Sequence, residues 1–267
     1  MAVDLYNFKN LGCDILGLLG STPTPSSLDF EPTSGLAEID HHLIECARAW
    51  GRPFGYWQEQ GGSVVQNIFP IRKTENDQIS SSSKTELEMH TETAFHPWLP
   101  QYVFLLCLRG DENAGTTFVD LDDLLVHLST QEIQLLHEPV FETSIDSSFL
   151  SVQQQNANIK MPVLFNNGSS IRYDRNLMTS TDPEAQQVLK RIAEIVDVLK
   201  VTIVLRAGDL AVIHNWRTIH GRTPFSPRYD GTDRWLKRVL VRRSMPPARD
   251  IDMNEEADIY VVNTILS

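Results

Sequence analysis

Residues 89–97, MHTETAFHP, place a histidine and a carboxylate, His90 and Glu92, two positions apart. In an extended chain the side chains at i and i+2 point to the same face, so both could reach one metal ion, which a helix at this spacing would not allow. With 8 histidines and 35 acidic residues in 267, such a triplet occurs about once by chance. It therefore has meaning only if the chain also supplies a third ligand and a cosubstrate anchor.

The segment NWRTIHGRTPF, residues 215–225, offers that third ligand in His220, which we expect to follow a strand and face the pair. Two histidines and one carboxylate on one side of an ion leave three positions open, the arrangement of non-haem Fe(II) oxygenases. His214 has the same strand parity and is the alternative third ligand. We expect it instead to be a structural histidine, satisfied by hydrogen bonds within its strand.

Arg234, Arg238 and Arg242 share one face of the strand-like segment 234–243, whose other face is apolar. One interpretation is a solvated edge strand with its apolar face in the core. The other is functional, because an oxygenase that consumes 2-oxoglutarate must bind the far carboxylate of that diacid. A planar guanidinium does so through two charge-assisted hydrogen bonds.

A few helices are predicted around these residues. Apolar residues repeat with helical spacing over 36–47, and Gly51 ends the pattern. A second helix is predicted after the capping box that begins at Ser129, and a third after Asp182, which precedes a proline at the first helical position.

The other regular segments have the composition of strands. They are residues 64–71, 101–109, 201–206, 210–215 and 234–243. The short connection 207–209 predicts a hairpin between the strands that flank it. Polar segments 74–84 and 142–160 are predicted to be surface loops or a lid. Many strands and few helices indicate a mainly β barrel or sandwich with peripheral helices, in a single domain covering 1–267.

Composition limits the partners. The formal net charge of −12 disfavours nucleic acid and anionic membranes, because both repel an acidic surface. The three cysteines are widely spaced, as expected for reduced thiols in the cytoplasm. No signal peptide or long apolar run is evident. We expect a soluble cytoplasmic protein that binds a small molecule.

A resemblance to a known family extends from about residue 50 to residue 243. The segments that carry it are EQGGSVVQ, SKTELEMHTETAFHP, QYVFLLCLRGD, GTTFVD, RYDRNLM, AGDLAVIHNWRTIHGRTPF and DRWLKRVLVR. Their order and spacing resemble the clavaminate synthase-like branch of the Fe(II)/2-oxoglutarate-dependent oxygenases, and HTE in place of the commoner HxD is typical of that branch. The resemblance implies a double-stranded β-helix, or jelly-roll barrel, with helices packed outside it.

The resemblance also implies an iron and cosubstrate site. His90, Glu92 and His220 correspond to the iron ligands of the family. Arg234 corresponds to the arginine that binds the C5 carboxylate of 2-oxoglutarate, and Thr117 to the hydroxyl beside it. The expected cofactors are therefore Fe(II), with 2-oxoglutarate as cosubstrate, and O₂.

For the substrate, Arg238 corresponds to the arginine that binds a carboxylate, and Asp174 to an acid that recognises the substrate's amine or side chain. Gln66 and Ser80 resemble polar substrate contacts. A free carboxylate partner for Arg238 favours a free amino acid over a tethered one. Arginine is disfavoured as substrate, because the same-face neighbour of Asp174 is the basic Arg172, whereas relatives that hydroxylate arginine surround its guanidinium with more than one acid.

The implied activity is hydroxylation of an unactivated C–H bond of a free L-amino acid, or of a small molecule derived from one, with release of succinate and CO₂. Relatives in this branch hydroxylate asparagine, arginine and lysine, and such reactions belong to natural product biosynthesis. Glu92 favours hydroxylation over halogenation, since a short apolar residue there would open a halide site. Desaturation or cyclisation, and a barrel that binds a metabolite without catalysis, are the alternatives. Residues 214–217 read HNWR where family members usually read DNRR, so we expect a different substrate choice.

Overall fold

A computed structural model describes residues 2–146, 149, 159–245, 251–254 and 259–262. These residues form mainly β structure with few helices. The helices are α1 (Ile15–Leu19), α2 (Ser34–Arg48), α3 (Leu121–Leu125), α4 (Thr130–Leu136) and α5 (Pro183–Leu199), with 3₁₀ turns at Phe8–Leu11, Gln60–Gly62 and Arg72–Thr74. The strands are β1 (Val3–Asn7), β2 (Arg52–Tyr56), β3 (Val65–Ile68), β4 (Leu87–His90), β5 (Tyr102–Arg109), β6 (Thr116–Asp120), β7 (Phe141–Thr143), β8 (Ile159–Met161), β9 (Leu164–Phe165), β10 (Ser170–Ile171), β11 (Met178–Thr179), β12 (Val201–Ile203), β13 (Asp209–His214), β14 (Thr218–Arg222), β15 (Trp235–Arg242), β16 (Ile251–Asn254) and β17 (Ile259–Val262).

Most strands belong to two sheets. Within the described residues, the major sheet has eight strands in the order β1-β13-β5-β15-β2-β17-β16, and β3 also pairs with β15. The minor sheet has four antiparallel strands in the order β12-β6-β14-β4. Strands β11, β7 and β8 form a small third sheet, and β9 pairs with β10. The major and minor sheets both line one cavity, so the space between them is where a ligand can bind.

Strand β15 lies inside the major sheet. It pairs with β5 on one side and with β2 and β3 on the other, and all of its residues are buried. Trp235 and Val239 pack into the core on the outer face of the sheet, whereas Leu236 and Leu240 belong to a different core. The interpretation of this segment as a solvated edge strand is therefore wrong.

The predicted helices cover the outer faces of the two sheets. α2 begins at its N-cap Thr33 and buries one apolar face in the core of the major sheet. α4 begins with the Ser129–Glu132 capping box, and α5 with the Asp182 cap. Each Leu or Ile side chain buried in this way contributes about 1.5–3 kcal/mol to folding. Among the described helices, none combines the length and apolarity needed to cross a membrane.

The predicted hairpin on either side of residues 207–209 is wrong. β12 pairs with β6 in the minor sheet, whereas β13 pairs with β1 and β5 in the major sheet. Gly208 has φ +91°, and its N–H donates to the carbonyl of Cys107. Residues 207–209 thus connect a strand of the minor sheet to a strand of the major sheet. Strand pairing with distant segments outweighs the local turn signal here.

The serine-rich segment 74–84, predicted to be a surface loop or a lid, is exposed only at Asn76, Asp77 and Lys84. Ser82 and Ser83 are buried, and Ile79, Ser80 and Ser81 line the cavity between the sheets. Backbone hydrogen bonds hold the segment, with Ile71 donating to Ser81 and Phe225 to Ser83. Much of the second predicted loop or lid, 142–160, lies outside the described residues.

Candidate metal centre and binding cavity

The cavity between the major and minor sheets has a volume of about 340 Å³. His90 and His220 line it from the minor sheet, and Leu236 and Arg238 line it from the major sheet. Most of the residues singled out in the sequence reach this one cavity. Their hydrogen-bond partners, burial and neighbouring charges differ, and these differences indicate which residues could bind a metal and which could bind an anion.

Three of these residues form the one group of potential metal ligands found in the described part of the chain. One ligand atom each of His90, Glu92 and His220 lies within 4.8 Å of the other two. His90 and His220 are cross-strand partners in β4 and β14, with ring centroids 4.7 Å apart. His220 thus lies within a strand, whereas we expected it to follow one.

Glu92 reaches the site in a different way from that expected. Strand β4 ends at His90, and Glu92 lies in the turn that follows, next to Thr93 with φ +49°. The two residues therefore do not share one face of a strand. Their ligand atoms converge because the chain turns, not because the strand continues.

Both histidines present a nitrogen suited to a metal. Nδ1 of His90 lies 2.7 Å from the carbonyl oxygen of Glu88, which can only accept, so the proton belongs on Nδ1 and the Nε2 lone pair is free. Burial lowers the pKa of His220 and so favours its neutral form. Neutral imidazoles and a carboxylate are the donors that non-haem iron binds, so the residues fit Fe(II).

Glu92 is held ionised by its neighbours. Burial by itself would raise its pKa, but the charge of Arg238 and the adjacent histidines outweigh burial and hold the pKa well below its usual range. Arg238 donates from Nη1 to Oε1 of Glu92 at 2.8 Å. The carboxylate is therefore ready to bind a cation without losing a proton first.

Arg238 has partners that the sequence did not predict. Besides Glu92, it donates to Glu59 at 2.7 Å and from Nε to Gln66 at 2.7 Å. Burial raises the pKa of Glu59, and Arg238 opposes that rise. Gln66 is buried beside Arg238 and does not line the cavity, so the structure does not bring it to the predicted substrate contact.

Arg234 differs from Arg238 in having no acceptor within the part of the chain that the structure describes. It is 6% exposed and lines the cavity, yet among the described residues no hydrogen bond or ion pair engages its guanidinium. Burial lowers its pKa, although an arginine remains charged at neutral pH. A buried cation that lacks a partner among the described residues favours an anion, and the open cavity is where one can bind.

The hydroxyl predicted beside Arg234 faces away from the cavity. Thr117 donates from Oγ1 to the sulfur of Met89 at 3.2 Å and does not line the cavity. Thr116 lines it instead. Neighbouring strand residues face opposite sides, so a shift of one position moves the hydroxyl from the cavity to the core behind it.

Asp174 and Ser80 both line the cavity, as predicted for substrate contacts. Burial raises the pKa of Asp174, and the neighbouring His90 opposes that rise. Arg172 does not line the cavity; its guanidinium lies 5.3 Å from the centre of the Phe165 ring. The acidic Asp146 lines the cavity with Asp174 and acts on its pKa. Arginine was disfavoured as substrate because a basic residue, Arg172, was expected beside Asp174, and that reason is wrong.

The alternative ligand His214 lies elsewhere. It ends β13 in the major sheet, and its ring packs 4.8 Å from that of Tyr102. His96, another nearby histidine, accepts a hydrogen bond at Nδ1 from the backbone N–H of Trp98. Within the described residues, neither histidine joins the metal-binding group.

Comparison with known families and proteins gives a consistent result. The family model described as "Taurine catabolism dioxygenase TauD, TfdA family" matches residues 35–240. The L-lysine 3-hydroxylase of Catenulispora acidiphila is 33% identical over 229 residues, which are 84% of this chain and 63% of that protein. The chain thus spans less than two thirds of the length of that relative.

Solved structures resemble the whole described fold. An asparagine oxygenase in complex with Fe(II), 2S,3S-3-hydroxyasparagine and succinate superposes with a TM-score of 0.82 at 30% identity, covering 98% of this chain and 80% of that one. The non-heme iron oxygenase OrfP in complex with Fe and alpha-ketoglutaric acid has a TM-score of 0.78 at 34% identity, covering 86% and 73%. Both complexes contain iron together with the cosubstrate or its product.

Proposed function

Because this chain belongs to the TauD/TfdA family of dioxygenases, we propose that it is an Fe(II)- and 2-oxoglutarate-dependent enzyme that hydroxylates a C–H bond of a free L-amino acid or a close derivative. Succinate and CO₂ are the coproducts. The L-lysine hydroxylase and the asparagine oxygenase that resemble it support an amino acid as substrate.

One observation carries the proposal. A single cavity contains the metal-binding group of His90, Glu92 and His220 together with Arg234, a buried cation that has no acceptor among the described residues. A protein that only bound a metal would have no need of the arginine, and one that only bound an anion would have no need of the metal ligands. Together they fit a redox metal and a dicarboxylate cosubstrate.

Each residue of the site has a proposed task. His90, Glu92 and His220 would hold the iron, which when bound supplies the activation of O₂ that couples oxidation of 2-oxoglutarate to oxidation of the substrate. Arg234 would bind the C5 carboxylate through two hydrogen bonds. Thr116 lines the same cavity and replaces Thr117 as the proposed neighbouring hydroxyl.

For the substrate, we propose that Arg238 binds the carboxylate and Asp174 the amine or side chain. A guanidinium has five N–H donors, and the four hydrogen bonds of Arg238 to Glu59, Glu92 and Gln66 leave one for the substrate. Ser80 is a further proposed contact. Fixing both ends of an amino acid in this way aims one C–H bond at the metal.

The finer architecture is also part of the proposal. We infer that the major and minor sheets form the double-stranded β-helix, or jelly roll, of a single domain. The crossing of the chain from β12 to β13 between the sheets supports this. A cytoplasmic location is proposed as well, and the three free cysteines support it.

The experiment is an assay of Fe(II)- and 2-oxoglutarate-dependent succinate formation with a panel of free amino acids, including basic, amide and cyclic ones, and product masses recorded. Succinate coupled to one added oxygen in an amino acid is the expected result. Loss of two hydrogens instead would assign desaturation or cyclisation. Bound iron without succinate formation from any member of the panel would contradict the proposal and favour a binding protein.

A further inference from the structure

Glu92 lies in a turn, outside the strand that contains His90. Strand β4 ends two residues earlier, and the chain turns at Thr93, which has φ +49°. The backbone of a strand residue is fixed by its ladder hydrogen bonds, but the backbone of Glu92 lies outside the ladder. Arg238 donates to the carboxylate itself, so another group must fix the backbone that carries it.

That group is the side chain of Asn215. Its Oδ1 accepts from the N–H of Glu92 at 2.7 Å, and its Nδ2 donates to the carbonyl of Glu92 at 3.2 Å. The amide thus hydrogen-bonds both backbone groups of one residue, as a neighbouring strand would. Nδ2 also donates to the carbonyl of Pro100 at 2.9 Å.

Asn215 is itself held firmly. Its side chain is 0% exposed, and its N–H donates to the carbonyl of Gln101 at 2.9 Å. It lies in the turn between β13 of the major sheet and β14 of the minor sheet, five residues before His220. One short segment therefore carries a proposed metal ligand and the group that holds another.

We propose that Asn215 is a positioning residue for the metal centre, which fixes the backbone of Glu92 so that its carboxylate faces His90 and His220. This inference rests on the proposed function, because it assumes that these three residues bind Fe(II). Asn215 touches neither metal nor substrate in this role. Groups that orient metal ligands in this way are typically worth 10- to 100-fold in metal affinity.

The test is anaerobic titration of Fe(II) alone, by calorimetry, into the wild-type protein and Asn215→Ala. The matched control is Thr218→Val. Thr218 is also 0% exposed and donates from its side chain to a backbone carbonyl, that of Ala2 at 3.0 Å, but it has no hydrogen bond to a proposed ligand. Both variants are expected to lose folding stability. We expect about 10- to 100-fold weaker Fe(II) binding only in Asn215→Ala.

Equal Fe(II) affinities for the two variants would overturn the inference and leave Asn215 with a structural role. Failure of the wild-type protein to bind Fe(II) would overturn the proposed function instead, so the two failures can be distinguished. A second measurement does not depend on any variant folding. In the metal-free wild-type protein the amide hydrogen of Glu92 should exchange slowly with solvent, and rapid exchange would contradict the assigned hydrogen bond.

Discussion

Arg234 and Arg238 belong to one segment and face one cavity, but they differ in their partners. Arg238 is ion-paired to Glu59 and Glu92, whereas Arg234 has no acceptor among the described residues. A buried charge without a counterion is costly, so an anion bound beside Arg234 would be favoured. The difference supports the proposal that Arg234 binds a diffusible carboxylate, and it gives Arg238 a second contact, with the carboxylate of Glu92.

The first prediction concerns Arg234→Ala. It removes a charge-assisted contact worth about 2–4 kcal/mol, so 2-oxoglutarate should bind roughly 30-fold to 10³-fold more weakly. The measurement is calorimetric titration of 2-oxoglutarate into the metal-loaded protein without O₂. Arg234→Lys keeps the charge but not the planar guanidinium, so its affinity for 2-oxoglutarate should lie between those of the wild-type protein and Arg234→Ala. An unchanged affinity in Arg234→Ala would refute the assignment.

The second prediction compares two histidines. His220→Ala should abolish turnover, because one of three proposed iron ligands is lost. His214→Ala should keep most of it, since His214 packs on Tyr102 in the other sheet. Initial rates of succinate formation at saturating Fe(II), with each variant checked for folding, measure the effect. The opposite ranking would exchange the roles of the two residues.

Several site residues could be predicted from the sequence because their positions match a family pattern. His90, Glu92 and His220 do come together in the structure. Glu59 could not be predicted, since nothing in the local sequence marks one of 35 acidic residues as the buried partner of Arg238. The choice between Thr116 and Thr117 depends on strand register, and register is set by pairing between distant segments.

At the scale of elements, the serine-rich segment 74–84 is a wall of the cavity. Arg222 of β14, two residues after His220, donates to the carbonyls of Ser82 and Thr85 and to the hydroxyl of Ser82. Composition predicts a surface loop or a lid here because serine and lysine are usually solvated, and Lys84 is exposed whereas Ser82 and Ser83 are buried. The buried guanidinium of Arg222 supplies hydrogen-bond donors to this segment, which composition does not reveal. It also links the segment to β14, the strand that contains His220.

The third prediction follows from that link. Arg222→Ala leaves buried carbonyls without donors, which should cost about 1–3 kcal/mol of folding free energy and speed amide exchange in residues 79–85. Urea unfolding and hydrogen–deuterium exchange measure the two effects. Arg217→Ala is the control, because Arg217 pairs with Asp122 in a partly exposed bridge worth about 0–1 kcal/mol. Unchanged exchange in residues 79–85 would mean that backbone hydrogen bonds alone hold the wall.

Local sequence signals also fail to predict which strands pair with each other. The segments 201–206 and 210–215 have strand composition and a short turn between them, and both do contain strands. They pair in different sheets, because each finds its neighbour among segments distant in sequence. Helix starts were easier to predict, since caps such as Asp182 and Ser129 act within a few residues.

At the scale of the whole molecule, the proposed ligands join the two sheets. Two of the three proposed metal ligands lie on strands of the minor sheet, and Arg234 directly precedes β15 of the major sheet. A metal-bound dicarboxylate that reached Arg234 would therefore connect both sheets across the cavity. Its binding should stabilise the fold as a whole.

The fourth prediction is a thermal shift. A ligand at 100 times its Kd adds about 2.7 kcal/mol to folding stability, which corresponds to roughly 5–10 °C in Tm for a chain of this size. We expect 2-oxoglutarate to raise the Tm of the metal-loaded wild-type protein by this amount. Arg234→Ala should keep the shift produced by metal and lose the further shift produced by 2-oxoglutarate. Equal 2-oxoglutarate shifts in both proteins would show that the diacid binds elsewhere.

The most direct test of the proposed chemistry follows the two oxygen atoms of O₂. The reaction is run under ¹⁸O₂ with Fe(II), 2-oxoglutarate and the amino acid that gives the highest succinate yield, and both products are analysed by mass spectrometry. We predict one labelled oxygen in succinate and one in the hydroxylated amino acid, because a dioxygenase of this type divides O₂ between its two substrates. Succinate and amino acid that both remain unlabelled would contradict the assignment of this chain as a 2-oxoglutarate-dependent hydroxylase.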